Sequence, residues 1–213
     1  MLHLKTFTFN PFQQNTFLIY DDDGTAYLID AGNSTSSENE ELKKFIEGKK
    51  LTLKRFLLTH AHIDHILGAR YILDTYSLLP EVHEAELFFI DRMAQSAAMY
   101  GINCEKVPTP EKFLKEGDKI LLGKYEFECL FTPGHSPGSI SFYNKENKLL
   151  IGGDVLFRGS IGRSDLPLGD HDTLIKSIKE KLLILGDDVK VYSGHGPATT
   201  IGFEKANNPF LVD

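Results

Sequence analysis

The stretch LLTHAHIDHILG, residues 57–68, limits what this chain can become more than any other segment. An apolar run ends there, and His60, His62, Asp64 and His65 fall within six positions. Side chains alternate along a strand, so if residues 56–62 stay extended, His60 and His62 project from one face. Two imidazoles on one face can share a metal ion. Asp64 and His65 follow where Ile66 and Leu67 open a helix. The backbone is turning there, and their side chains can serve a second, adjacent position. One short loop thus supplies half the ligands of a dinuclear site. The plain alternative is a polar surface loop that binds nothing, and so dense a spacing of ligand types disfavours it.

The second half of the chain offers the complement. FTPGHSPGS places His135 after the strand candidate KYEFECLF, LLIGGDVLF places Asp154 at the end of another, and VYSGHGP places His195 after a third. Each time an apolar strand is followed by small or kinked residues that let the backbone come close to something, with one ligand-type side chain. Five of the eight histidines are used this way, and His3, His83 and His171 read as packing or surface residues. The metal-ligand set is His60, His62, His135, Asp64, His65, His195 and Asp154. Seven ligands exceed a closed four-coordinate zinc and suit two ions sharing a carboxylate, with positions open for water and substrate. Imidazole and carboxylate donors suit zinc, iron or manganese. Asp30, closing AYLID, is either a strand-end turn residue or the acceptor that orients a ligating imidazole.

Composition narrows the partners. The net charge of −7 over 213 residues disfavours a nucleic-acid surface, which needs clustered Lys and Arg. The alternating N-terminus MLHLKTFTFNPFQQN resembles neither a signal peptide nor a membrane span, and no apolar run approaches ~18 residues. Cys104 and Cys129 form no C-x-x-C pair, so a reduced, cytoplasmic setting is expected.

For the fold, LHLKTFTF, QNTFLIY and AYLID read as an antiparallel meander, and ENEELKKFIEG as a helix stopped by Gly48. KRFLL and SLLPEVH read as strands, with helices over ILGARYILDTY and EAELFFIDRMAQSAAMY. After a proline-containing connector near 105–117 come strands in DKILLG, KYEFECLF, GSISFYN and KLLIGG, a helix over DTLIKSIKEKLLIL and a last strand in DVKVYSG. We expect an α+β chain, one domain over 1–213 made of two similar halves, with two sheets face to face and helices outside.

THAHIDH resembles the T-H-x-H-x-D-H signature of the metallo-β-lactamase superfamily, and Asp30, the TPGH at His135, the GD at Asp154 and the GH at His195 follow in the family's order. The resemblance implies an αββα sandwich of two mixed sheets, with the site at one edge of the sheets. GGDVLFRGSIGRSDLPLGD and the ending GFEKANNPF are similar to the short glyoxalase II-like hydrolases. Full-length glyoxalase II carries a further helical domain beyond the last histidine, and Leu168-Gly169 stands where two small residues are expected.

What the resemblance implies is thioester hydrolysis by a metal-bridging hydroxide, with Asp64 and Asp154 as the catalytic carboxylates and two divalent ions, zinc first, as cofactors. The partner expected is a small thioester or related acyl compound, with no nucleic acid and no membrane. Arg163 and Ser160 are tentative substrate contacts; for Arg163, an ion pair with Asp165 is the competing role. The rival activities are a mononuclear-iron persulfide dioxygenase, whose family also resembles this sequence, and a lactonase or other ester hydrolase of the same fold.

Overall fold

A computed structural model describes residues 1–211. They form two compact units, Met1–Phe113 with Leu122–Lys124, and Leu114–Leu121 with the chain from Tyr125 onward.

In the first unit, β1 (His3–Phe9), β2 (Gln14–Tyr20) and β3 (Thr25–Ile29) form the expected antiparallel meander. Helix α1 (Ser36–Gly48) then carries the chain over to β4 (Thr52–Leu57), which runs parallel to β3. After α2 (Ile63–Ile66) and α3 (Ala69–Tyr76), the edge strand β5 (Pro80–Glu81) pairs in parallel with β4. Thr35 caps α1 by accepting from the Glu38 amide, while the Glu38 carboxylate returns to the Thr35 amide, a reciprocal cap. Leu42 and Ile46 of α1 are buried in a core with Phe7, Leu18, Leu28, Phe56 and Ile72.

The second unit carries the other mixed sheet. Strands β6 (Lys119–Leu122), β7 (Tyr125–Phe131), β8 (Ile140–Asn144) and β9 (Leu149–Gly153) precede the small hairpin β10 (Leu156–Phe157) and β11 (Ser160–Ile161). Strand β12 (Lys190–Ser193) returns parallel to β9, and β13 (Thr199–Thr200) closes the order β13-β12-β9-β8-β7-β6. In both units a parallel strand pair is reached through a connection containing a helix. The loops after its carboxyl ends are where such sheets present ligands.

Several expected elements come out shorter. The chain leaves the strand at Leu57, so His60 and His62 lie on an irregular loop, and α2 already begins at Ile63. SLLPEVH forms only a two-residue edge strand, at Pro80, which has no amide to donate to a ladder. The expected long helix over residues 84–100 is instead a 3₁₀ turn followed by α4 (Leu87–Asp91) and α5 (Met93–Met99), broken at Arg92. The break keeps Ile90, Met93 and Ala97 all buried. The helix over residues 172–185 is α6 (His171–Ser177) continued as a π turn at Ile178–Leu182. Leu174, Ile178 and Leu182 are spaced by four and fully buried. A spacing of four overshoots the about 3.6 residues of an α-turn, and the wider turn returns them to one face. Helix α7 (Ile201–Asn207), the hairpin and β13 were not anticipated. No described helix is long and apolar enough to cross a membrane.

Candidate metal centre

The first unit builds its half of the site around the end of β4. The His60 ring centroid lies 4.8 Å from that of His62 and 4.1 Å from that of His65, so the three imidazoles cluster although the backbone is not a strand. Asp30, at the end of β3, adopts a left-handed backbone (φ 57°) that few side chains other than Asn and Asp accept readily. The turn aims its fully buried carboxylate back across the sheet. Oδ1 accepts from the Thr59 amide at 2.7 Å, and Oδ2 accepts from the Thr59 hydroxyl at 2.7 Å. The same Oδ2 lies 2.9 Å from His65 Nδ1. With Nδ1 engaged there, His65 offers Nε2, which faces Asp64 Oδ2 at 3.6 Å. Of the two roles open to Asp30, the geometry gives it both: it satisfies donors at a strand-end turn and orients an imidazole.

Two further residues support this loop and escape a reading of motifs. Glu86, fully buried, accepts from the Ala61 amide at 2.8 Å, between His60 and His62. Asn10, in the β1–β2 loop, donates through Nδ2 to the carbonyls of Gly32 and Asp64, each at 2.9 Å. Neither lies near a ligand in sequence. The one available signal for Glu86 was a charged residue at a position the helix buries.

The second unit converges on Asp154. His135 Nε2 stands 3.6 Å from Asp154 Oδ2, and His195 Nε2 stands 3.5 Å from the same oxygen. His135 Nδ1 lies 2.7 Å from the Arg163 carbonyl, which fixes the tautomer that leaves Nε2 for a metal. The loop of His135 is bolted to α6. The Gly134 carbonyl accepts from the Asp170 amide at 2.8 Å, and the Pro133 carbonyl accepts from the Ser177 hydroxyl at 2.7 Å. Gly134 is required there, since a Cβ would sit 2.3 Å from the Leu174 amide nitrogen and φ is +128°.

The donors fit metal ions. Nitrogen–oxygen separations of 3.5–3.6 Å exceed a hydrogen bond. They match two ligands held about 2.0–2.1 Å from one ion at a tetrahedral angle, which stand about 3.4 Å apart. Imidazole and carboxylate donors suit zinc, iron and manganese alike.

The tentative substrate residues are placed differently. The Arg163 guanidinium makes a two-pronged pair with Asp165, both contacts at 2.9 Å and both side chains exposed, and this hydrogen bonding holds the Asp165 carboxyl below its ordinary range. The loop ion pair weighed for Arg163 is present. Ser160 is half-buried, and its hydroxyl turns to its own neighbour, the Ile161 carbonyl, at 3.5 Å. His3, His83 and His171 are packing or capping residues: His3 stacks on Tyr20, His83 accepts from the Ala85 amide, and His171 opens α6 beside Ser164.

Residues 9–195 match the metallo-beta-lactamase superfamily, a span that holds Asp30 and all seven ligand candidates. The chain belongs to this superfamily. Its fold is the metallo-β-lactamase fold, two mixed sheets with flanking helices, as the order of motifs implied. Among relatives, a Haemophilus influenzae protein named hydroxyacylglutathione hydrolase GloC is 41% identical over 212 residues, covering 99% of this chain and 98% of its own. Among solved structures, BLEG-1 B3 metallo-beta-lactamase superposes with a TM-score of 0.90 at 38% identity, covering 99% of this chain and 100% of that one. TTHA1623 in a di-iron-bound form gives 0.88 at 38% identity, covering 97% and 100%. This superfamily protein is therefore a metallohydrolase with His and Asp clusters able to hold metal.

Proposed function

We propose that the protein hydrolyses small acyl thioesters of the hydroxyacylglutathione type, using two divalent ions held by His60, His62, Asp64, His65, His135, Asp154 and His195. The observation that carries the reading is the 41% identity to hydroxyacylglutathione hydrolase GloC across nearly the whole of both chains. The paired half-sites support it chemically. Zinc or iron suits the donors, and the di-iron form of TTHA1623 favours keeping iron in view.

The bound ions would supply Lewis acidity and, by lowering the pKa of a bound water from ~15.7 towards ~7, a hydroxide at neutral pH. The chain's residues hold that chemistry in place. Asp30 and the Arg163 carbonyl each fix an imidazole so that Nε2 points inward. Asp154 Oδ2 faces two imidazoles at once, where with them it would hold metal. Asp64 Oδ2 lies beside His65 Nε2, where it can also orient a water. In the reaction the acyl carbon gains hydroxide and the carbon–sulfur bond breaks, with the electron pair leaving on a thiolate. Thiolate is a good leaving group, so no dedicated general acid is needed.

The two free cysteines, one of them buried, agree with a reducing, cytoplasmic setting. A second reading, hydrolysis of a cyclic amide or lactone in the same site, draws on the likeness to BLEG-1. One panel separates them. The zinc- and iron-loaded protein is assayed with S-lactoylglutathione, a simple lactone, a β-lactam and glutathione persulfide. Thioester turnover exceeding the others by about tenfold or more supports the proposal. Turnover of lactone or β-lactam alone favours the second reading. Oxygen consumption with the persulfide overturns both.

A further inference from the structure

Helix α7 and the residue that caps its end carry two side chains that no part of the proposed reaction uses, yet both are fully buried and polar. Glu204 and Asn208 expose no surface. Their hydrogen bonds converge on the tip of the β10–β11 hairpin. Glu204 Oε2 accepts from the Gly159 amide at 2.9 Å and from Asn208 Nδ2 at 2.7 Å, while Glu204 Oε1 accepts from the Thr199 hydroxyl. Asn208 Nδ2 also donates to the Ser160 carbonyl at 2.9 Å. A buried carboxylate is costly to hold unless its lone pairs are filled, and here three donors fill them.

The hairpin needs outside support. It has only two residue pairs, and an isolated two-stranded ribbon is marginal. In its two-residue turn, Gly159 has φ +68° and Arg158 does not share the positive φ, so the turn is not the doubly left-handed type whose twist matches a hairpin.

What the hairpin holds is the second half-site. It leaves directly from Asp154 and ends at Arg163, whose carbonyl fixes His135. The Leu156 carbonyl accepts from the Ser193 hydroxyl at 2.6 Å, tying the hairpin to the strand that presents His195. The Phe157 ring stands edge-on to His195 at 6.3 Å. Gly162 passes so close that a Cβ would lie 1.9 Å from the Asp154 carbonyl oxygen and 3.3 Å from His135 Cβ. All three ligands of this unit are therefore held by one excursion of chain, and its far end is held by Glu204 and Asn208.

We infer that Glu204 and Asn208 are positioning residues for His135, Asp154 and His195, forming a latch that sets the geometry of the second half-site. The inference rests on the metal-binding reading above. Substitutions in the latch should weaken the metal binding that depends on these three residues.

The test is cobalt(II) titration of the full-length protein, followed by visible absorption, for wild type, Glu204→Gln, Asn208→Ala and Lys205→Ala. Lys205 lies on the same helix and pairs with Asp187, away from the hairpin, so its variant controls for general loosening of α7. Each variant is first checked for a cooperative melt. The ring N–H signal of His135 is followed by NMR in the metal-free protein, where its bond to the Arg163 carbonyl protects it from exchange. Loss of an outer hydrogen-bond partner typically costs about 10–100-fold in metal affinity, and that is the expected drop in cobalt affinity for Glu204→Gln and Asn208→Ala, with faster exchange at His135. Lys205→Ala should alter neither. An unchanged cobalt affinity together with an unchanged His135 signal in a folded Asn208→Ala protein would overturn the latch. A wild-type protein that binds no cobalt would overturn the metal-binding reading itself, which separates the two failures.

Discussion

Asp30 Oδ2 and His65 Nδ1 stand 2.9 Å apart, and neither residue exposes any surface. The carboxylate reaches that position only because Asp30 closes β3 with a left-handed turn, so the fold spends an unfavourable backbone conformation on orienting one imidazole. Asp30→Asn keeps the shape but can present an amide nitrogen to Nδ1, which would favour the other tautomer of His65. Zinc affinity should fall by about 10–100-fold. Competition with a chromophoric chelator measures it, and an affinity equal to wild type would contradict this role.

Glu38 stands behind the same loop. Its Oε1 accepts from the Asn10 amide at 2.7 Å, and Asn10 in turn holds the Asp64 carbonyl. Burial pushes the Glu38 carboxyl up, but hydrogen bonds from Ser34, Asn10 and Thr35 outweigh it and set the pKa below the ordinary 4.5. A carboxyl with a lowered folded pKa stabilises the protein above its unfolded pKa and loses that contribution as pH falls through the folded value. Glu38→Gln should therefore cost about 1 kcal/mol at pH 7, where the cap is fully charged. The gap to wild type should narrow below pH 4.5. Urea denaturation at pH 7 and at several lower pH values tests this, and a gap that widens in acid would contradict it.

Leu168 is a bulky residue at φ +65°, and its side chain is 54% exposed. A left-handed conformation costs a non-glycine residue roughly 1–2 kcal/mol, and glycine's greater freedom when unfolded returns about half of that. Leu168→Gly should raise the melting temperature by a few degrees, while Leu168→Ala, which keeps the strain, should not. The reverse order in a thermal melt would count against the strain.

Removing the ions should loosen both half-sites together. His60, His65, His135 and Asp154 are buried, and a ligand bound only by the folded state stabilises it by about 2.7 kcal/mol at a hundred times its Kd. Dialysis against a chelator should lower the melting temperature, and added zinc should restore it. An identical melt with and without chelator would show that the ligands stand folded without metal.

Much of this was legible from the order of residues. The ligand types, their spacing and the strands that deliver them sit close together in sequence, so THAHIDH and the later TPGH, GD and GH segments could be read directly. What escaped lies far away in sequence. Glu86 holds the Ala61 amide from 25 positions on, and Asn208 holds Ser160 from 48. Such contacts depend on tertiary placement and leave no local pattern. The apolar periodicity of residues 84–100 continues through Arg92 and suggests one long helix, whereas the structure keeps the burial by breaking the helix there.

The most direct test of the central claim is the metal content of the protein, measured by elemental analysis after loading with excess zinc or iron and removal of unbound ions. The proposed dinuclear reading predicts close to two ions per chain, falling to about one or fewer in Asp154→Ala. One ion per chain in the wild-type protein, unchanged in Asp154→Ala, would contradict the dinuclear site and the hydrolysis built on it.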